Sequence, residues 1–171
     1  YDALTGACEP GSAVVKTAYK NLSLLPSTID LAGAEIELLD MPEREYALKK
    51  VFDSVGDDFD FIFTDCPPSL GMLTVNALSC SDGVIIPMQC EYYSLEGLSQ
   101  LMISIKKVKQ LYNSALTITG ILVTMYNGRL NLSVQVLDEI KKYYSDKLFR
   151  TTVARNVKLS EAPSFGEPVY Y

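Results

Sequence analysis

The sequence contains no histidine. That absence excludes Ser/His/Asp and Cys/His nucleophilic machinery and every histidine-based metal site. It leaves carboxylates, lysines, backbone amides and a metal ion as the available chemistry. Cysteine is scarce: residues 8, 66, 80 and 90 form no CxxC pair, and two of them stand in apolar, strand-like context. Buried free thiols are therefore expected rather than disulfides or zinc. No window approaches the ~20 uninterrupted apolar residues of a membrane span, and no charged-then-apolar leader is present. A cytoplasmic location is the expectation. Internal repeats and low-complexity linkers are also absent.

What is present suits one ordinary domain spanning 1–171, with 48% hydrophobic and 21% charged residues, enough to bury a core. A net charge of −6 argues against the whole surface binding nucleic acid. The charge is uneven, however. Between residues 129 and 158 stand Arg129, Lys141, Lys142, Lys147, Arg150, Arg155 and Lys158 against Asp138, Glu139 and Asp146, a local +4 that leaves −10 on the remainder. A basic region on an acidic protein binds phosphate backbones without sequence preference, although a solvated helix face gives the same count.

The stretch DDFDFIFTDCPPSLG (57–71) organises the chain. Residues 59–64 are aromatic and branched enough for a buried strand, which ends on Asp65 before Pro67 and Pro68 forbid continuation of the ladder. A carboxylate at the carboxyl end of a core strand stands where α/β sheets bind ligands, and Mg²⁺ bridging phosphates needs such a hard oxygen ligand. The plainer alternative is a cap on the following turn.

Taken in order, 1–10 shows no strand, and 11–20 reads as a loop with a short helical piece around 13–17. Residues 21–25 form a plausible strand. Ser27, Thr28 or Asp30 can cap a helix over 31–39, with Glu35 and Glu37 exposed or near a site. Pro42 breaks it, and 43–55 resumes as an amphipathic helix with Leu48, Val51, Phe52 and Val55 on one face. A helix over 73–81 precedes a buried strand over 83–88. Ser94 is expected to cap the clearest helix, with Leu95, Leu98, Leu101, Met102, Ile105, Val108 and Leu111 inward. A core strand follows over 117–124, then a helix over 131–148 with an Asp138–Lys142 pair, and a last short strand over 151–154. Strands apolar throughout and alternating with helices predict a doubly wound α/β fold around a mainly parallel sheet.

The blocks PSTIDLAGAEIEL (26–38), DFIFTDCPPSLGMLTVNAL (60–78), IPMQCEYYSLEGLSQL (86–101), LVTMYNGRLNLSVQV (122–136) and RTTVARNVKLSEAPSFGEPV (150–169) resemble the ParA/Soj family of chromosome and plasmid partitioning ATPases. The resemblance implies a P-loop NTPase-like protein that forms a homodimer around ATP and Mg²⁺. It also implies nonspecific DNA binding, stimulation by a ParB/Spo0J-type centromere-binding partner, no membrane partner, and a cytoplasmic, nucleoid-associated location. Such proteins open with a strand and a Gly-rich loop ending in Gly-Lys-Thr, whereas none of the ten glycines here is followed by lysine. The expectation is a fragment without the P-loop and first strands, inactive in ATP hydrolysis by itself. A MinD-like spatial regulator of cell division and a non-catalytic interaction module are the alternatives.

By the same resemblance, Asp65 matches the Walker B aspartate that holds Mg²⁺, and Pro67, Pro68 and Gly71 belong to the switch after it. Asn127, Ala154 and Arg155 fall where relatives contact the nucleotide, with aspartate usual at 127 and proline at 154. Gln89 and Glu91 match a block that is structural or interfacial. Arg129, Arg155 and Lys158 stand in blocks that supply phosphate-contacting cations to DNA. No catalytic residue is assigned within the chain.

Overall fold

A computed structural model describes residues 1–67 and 69–170. The chain resolves into two compact units, Tyr1–Asp82 with Ser104–Leu116, and Gly83–Ile103 with Thr117–Tyr171.

The first unit opens with α1 (Asp2–Thr5), in the stretch read as free of strand, and a 3-10 turn at Pro10–Ala13. Instead of a helical piece, β1 (Val15–Lys16) pairs antiparallel with β2 (Ser23–Leu24). Helix α2 (Leu31–Glu37) runs on as a 3-10 turn, Leu38–Asp40, and stops before Pro42. Asp30 stands at its N-cap position without a side-chain cap, and its carboxylate accepts the Thr28 hydroxyl at 3.0 Å. Helix α3 (Ala47–Val55) begins four residues later than expected: Glu43 is left-handed, with φ 53°, and a 3-10 turn intervenes at Arg44–Tyr46. Leu4, Ala34, Leu38 and Ala47 form a buried cluster. Helix α4 (Met72–Cys80) is fastened by Asn76, which is 1% exposed. Its Oδ1 accepts from Leu48 N at 3.0 Å, and its Nδ2 donates to Arg44 O at 2.8 Å and Met72 O at 3.0 Å. Buried polar atoms must find such partners, and Asn76 finds them in the 3-10 turn before α3, at the start of α3 and in its own helix.

The buried strand expected over 59–64 does not form. Phe61 and Phe63 are 81% and 83% exposed, and residues 61–67 belong to no ladder among the described residues. A strand exists only where a neighbour takes up its amides and carbonyls, so β propensity alone leaves this segment unpaired.

In the second unit, β3 (Gly83–Gln89) pairs in parallel with β4 (Thr117–Thr124); α5 (Tyr92–Leu111), which belongs to the first unit from Ser104 on, connects them in sequence. After α6 (Asn131–Tyr144) the chain returns along the other edge of β4. Ile121 N donates to Lys147 O at 2.7 Å, Phe149 N to Ile121 O at 3.0 Å, and Val153 N to Val123 O at 2.8 Å. The expected strand over 151–154 thus appears as parallel bridges at Leu148 and Ala154. Gly120 permits the approach, since a Cβ there would stand 2.8 Å from the Phe149 ring and 3.0 Å from Lys147 O. Ile121 and Val123 are fully buried, whereas β3 alternates, with Ile86 and Met88 inside and Ile85 exposed. The α/β class with parallel pairing holds.

Leu98, Ile105 and Val108 of α5 are buried as expected, but Leu111 is 68% exposed, and Ser94 lies inside the first turn rather than at the cap. Helix α6 buries Val136, Leu137 and Ile140 and ends at Tyr144. Its ion pairs are Lys141–Asp138 and Lys142–Glu139, three residues apart, in place of the expected four-residue pair. No helix among the described residues is long and apolar enough to cross a membrane.

Candidate functional site

Asp65 lies on the unpaired segment of the first unit, exposed and without a hydrogen-bond or ion-pair partner among the described residues. Among those residues no group of three or more Cys, Asp or Glu side chains could hold a metal ion. A single carboxylate still fits Mg²⁺, which keeps several waters and takes its other ligands from phosphates. Burial and the neighbouring Asp65 charge push the Cys66 thiol up. Of the switch residues, Pro67 is exposed and Pro68 falls outside the described residues. Gly71 is the N-cap of α4, and the Ser69 carbonyl just before it accepts the Thr74 hydroxyl at 2.6 Å. A Cβ at Gly71 would overlap the Glu35 carboxylate, with Glu35 Cδ 2.9 Å away. Glu35 Oε1 is buried there with no hydrogen-bond partner. The loop after Asp65 is therefore seated on α2 as well as α4, a contact that only packing reveals.

In the second unit the fold brings Asn127, Ala154 and Arg155 together. Tyr126 bridges Ala154 in parallel, and Tyr126 N donates to Val153 O at 3.0 Å. Asn127 and Arg155 each follow a bridged residue and stand at the same carboxyl edge, both exposed. Two asparagines shape the chain beside cations: Asn127 Oδ1 accepts from Arg129 N at 3.1 Å, and Asn156 Oδ1 from Lys158 N at 2.9 Å, capping α7 (Val157–Glu161). Gln89 and Glu91 line a cavity of about 500 Å³ with Ile86, Met88 and Leu98.

Ion pairs sort the basic region. Lys141, Lys142, Lys147 and Lys158 face Asp138, Glu139, Asp146 and Glu161 at 3.3, 3.9, 3.6 and 3.6 Å. Arg129, Arg150 and Arg155 are exposed and have no ion-pair partner among the described residues. Sequence counting weighed all seven cations alike and could not single out these three.

The family model described as "AAA domain" matches residues 1–118. The chain is 50% identical over 169 residues to the sporulation initiation inhibitor protein Soj of Bacillus subtilis, spanning 99% of this chain and 67% of that protein. It is 48% identical over 169 residues to the chromosome-partitioning ATPase Soj of Treponema pallidum, with the same coverage. A crystal structure of cobyrinic acid a,c-diamide synthase from Mycobacterium smegmatis with bound ADP and magnesium superposes with a TM-score of 0.83 at 36% identity, covering 97% of this chain and 72% of that one. The chain thus spans about two thirds of the length of these relatives. With a family model over more than half of its residues and half-identical relatives along nearly all of it, the chain belongs to the ParA/Soj family of AAA-domain ATPases.

Proposed function

We propose that this protein acts in DNA partitioning as an ATPase, in the cytoplasm and on the nucleoid, with residues 1–171 serving as one part of a nucleotide-binding domain. The observation that carries this reading is 50% identity over 169 residues to a Soj protein, together with the exposed carboxylate of Asp65 on the loop where the family places its metal. Asp65 would hold Mg²⁺, which supplies charge neutralisation on the phosphates. Pro67, Pro68 and Gly71 form the switch that carries the state of the nucleotide to a second copy in an ATP-dependent homodimer. Asn127, Ala154 and Arg155 take the base and sugar end. Arg129, Arg155 and Lys158 meet nonspecific DNA through its phosphates, and a ParB/Spo0J-type protein stimulates hydrolysis. Because no glycine precedes a lysine, residues 1–171 alone are expected neither to cradle phosphates nor to hydrolyse ATP.

The test is calorimetric titration of ATP with Mg²⁺ into this chain and into the same chain joined to the P-loop segment of its B. subtilis relative. Binding is expected only in the joined protein, and Asp65→Ala there should remove its Mg²⁺ dependence. Micromolar binding by the unjoined chain would instead locate the phosphates near Asp65, Asn127 or residues 154–163.

A further inference from the structure

Glu35 carries a carboxylate oxygen that is buried and unpaired. Its Oε1 meets neither solvent nor a hydrogen-bond donor among the described residues, whereas Glu37, two residues along α2, accepts the hydroxyl of Tyr1. A buried carboxylate oxygen left without a donor is costly, so its position calls for a physical reason.

The reason lies at Gly71. Its φ of −74° and ψ of −174° are extended values that any residue adopts, so the backbone does not require glycine there. The available space does. A Cβ at residue 71 would overlap Glu35 Oε1 and come within 2.9 Å of Cδ and 3.0 Å of Oε2, so the carboxylate fills the volume that a side chain would take. Gly71 is the N-cap of α4 and offers no side chain to cap it. The Glu35 carboxylate thus stands at the positive end of that helix, where a negative charge is favoured even without a hydrogen bond.

Gly71 is also the far end of the loop that begins at Asp65. The Thr74 hydroxyl donates to Ser69 O at 2.6 Å, which folds the chain just before Gly71 onto the first turn of α4. Pro67 lies between, and its ring locks one backbone angle. Asp65 itself is exposed and unpartnered among the described residues, so nothing at its own end of the loop fixes its placement.

We propose that Glu35 is a positioning residue for the metal-binding loop: its carboxylate, seated on Gly71 at the N-terminus of α4, fixes the far end of residues 65–71 and through it the aim of the Asp65 carboxylate at Mg²⁺. This inference rests on the reading of Asp65 given above, and it adds a residue of α2 to which the family resemblance gave no role.

Two measurements on the chain joined to the P-loop segment of its B. subtilis relative test it. The first is thermal unfolding without nucleotide. Gly71→Ala should melt about 3–8 °C below the unsubstituted protein, because its methyl displaces the carboxylate; in a Glu35→Ala background the same change should cost no more than about half as much. The second is calorimetric titration of ATP with and without Mg²⁺. Glu35→Ala and Glu35→Gln should each weaken binding about tenfold with Mg²⁺ and less than about twofold without it. The glutamine variant keeps the shape and loses the charge, so its loss cannot come from packing. An equal cost of Gly71→Ala in both backgrounds overturns the assignment while leaving the nucleotide reading intact. So does either Glu35 variant that binds ATP with Mg²⁺ as the unsubstituted protein does, or that loses affinity equally with and without the metal. ATP binding that is indifferent to Mg²⁺ in the unsubstituted protein, or unchanged in Asp65→Ala, overturns the reading of Asp65 itself, and the assignment falls with it.

Discussion

Cys80 closes α4 with its thiol donating to Asn76 O at 3.2 Å, and burial pushes its pKa from the ordinary 9.0 up to about 11. The folded state thus holds this proton more tightly than the unfolded chain. The resulting stabilisation is complete below about pH 9 and is lost as pH rises toward 11. Lysines and tyrosines titrate in the same window, so the informative quantity is the difference between wild type and Cys80→Ala in urea midpoint at pH 8, 9.5 and 11. That difference should shrink with pH, and a constant one would show that the thiol is not tuned by folding. Single residues were unevenly legible in the sequence. Asn127 and Ala154 were picked out by their blocks, and the bridge from Tyr126 to Ala154 sets Asn127 one residue beyond it. Glu35 gave no signal beyond being acidic and near a site, because its seat against Gly71 depends on how α2 meets α4.

At the scale of elements, periodicity found α4, α5, α6, β3 and β4 and misplaced several of their ends. Helix α5 shows why. Its apolar residues recur at helical spacing through Leu111, yet burial stops at Val108. Period marks which residues share a face, but only a packed neighbour marks how far along the face burial extends. Ile105→Ala should therefore cost about 2–5 kcal/mol in urea unfolding. Leu111→Ala should stay within about 0.5 kcal/mol. Equal costs at the two positions would mean that the end of α5 is buried after all. The start of α3 was missed for a different reason: Glu43 is left-handed, and no composition cue marks that at a glutamate. Short pieces such as α1 and the β1–β2 hairpin carry too few residues to show a period.

Over the whole molecule, the net charge of −6 coexists with a basic stretch over 129–158 in which four lysines are already ion-paired. Exposed pairs of this kind are weak, yet they leave three of the seven cations without an ion-pair partner among the described residues. In the chain joined to the P-loop segment of its B. subtilis relative, with ATP, Arg129→Ala and Arg155→Ala should each lower the slope of log affinity for DNA against log salt by about one unit, equally for all DNA sequences. Lys158→Ala should lower it less, because Glu161 stands 3.6 Å from its ammonium. Unchanged slopes in all three variants would remove DNA from the proposed partners. The sequence by itself determined the α/β class, a mainly parallel sheet and the family, because apolar runs, helical periods and long matching blocks are local properties of the chain. Tertiary structure alone decided that residues 59–64 stay unpaired and that Asn127 lies beside Ala154 and Arg155. Each of these depends on which backbone groups find a hydrogen-bonding neighbour, and that neighbour is distant in sequence.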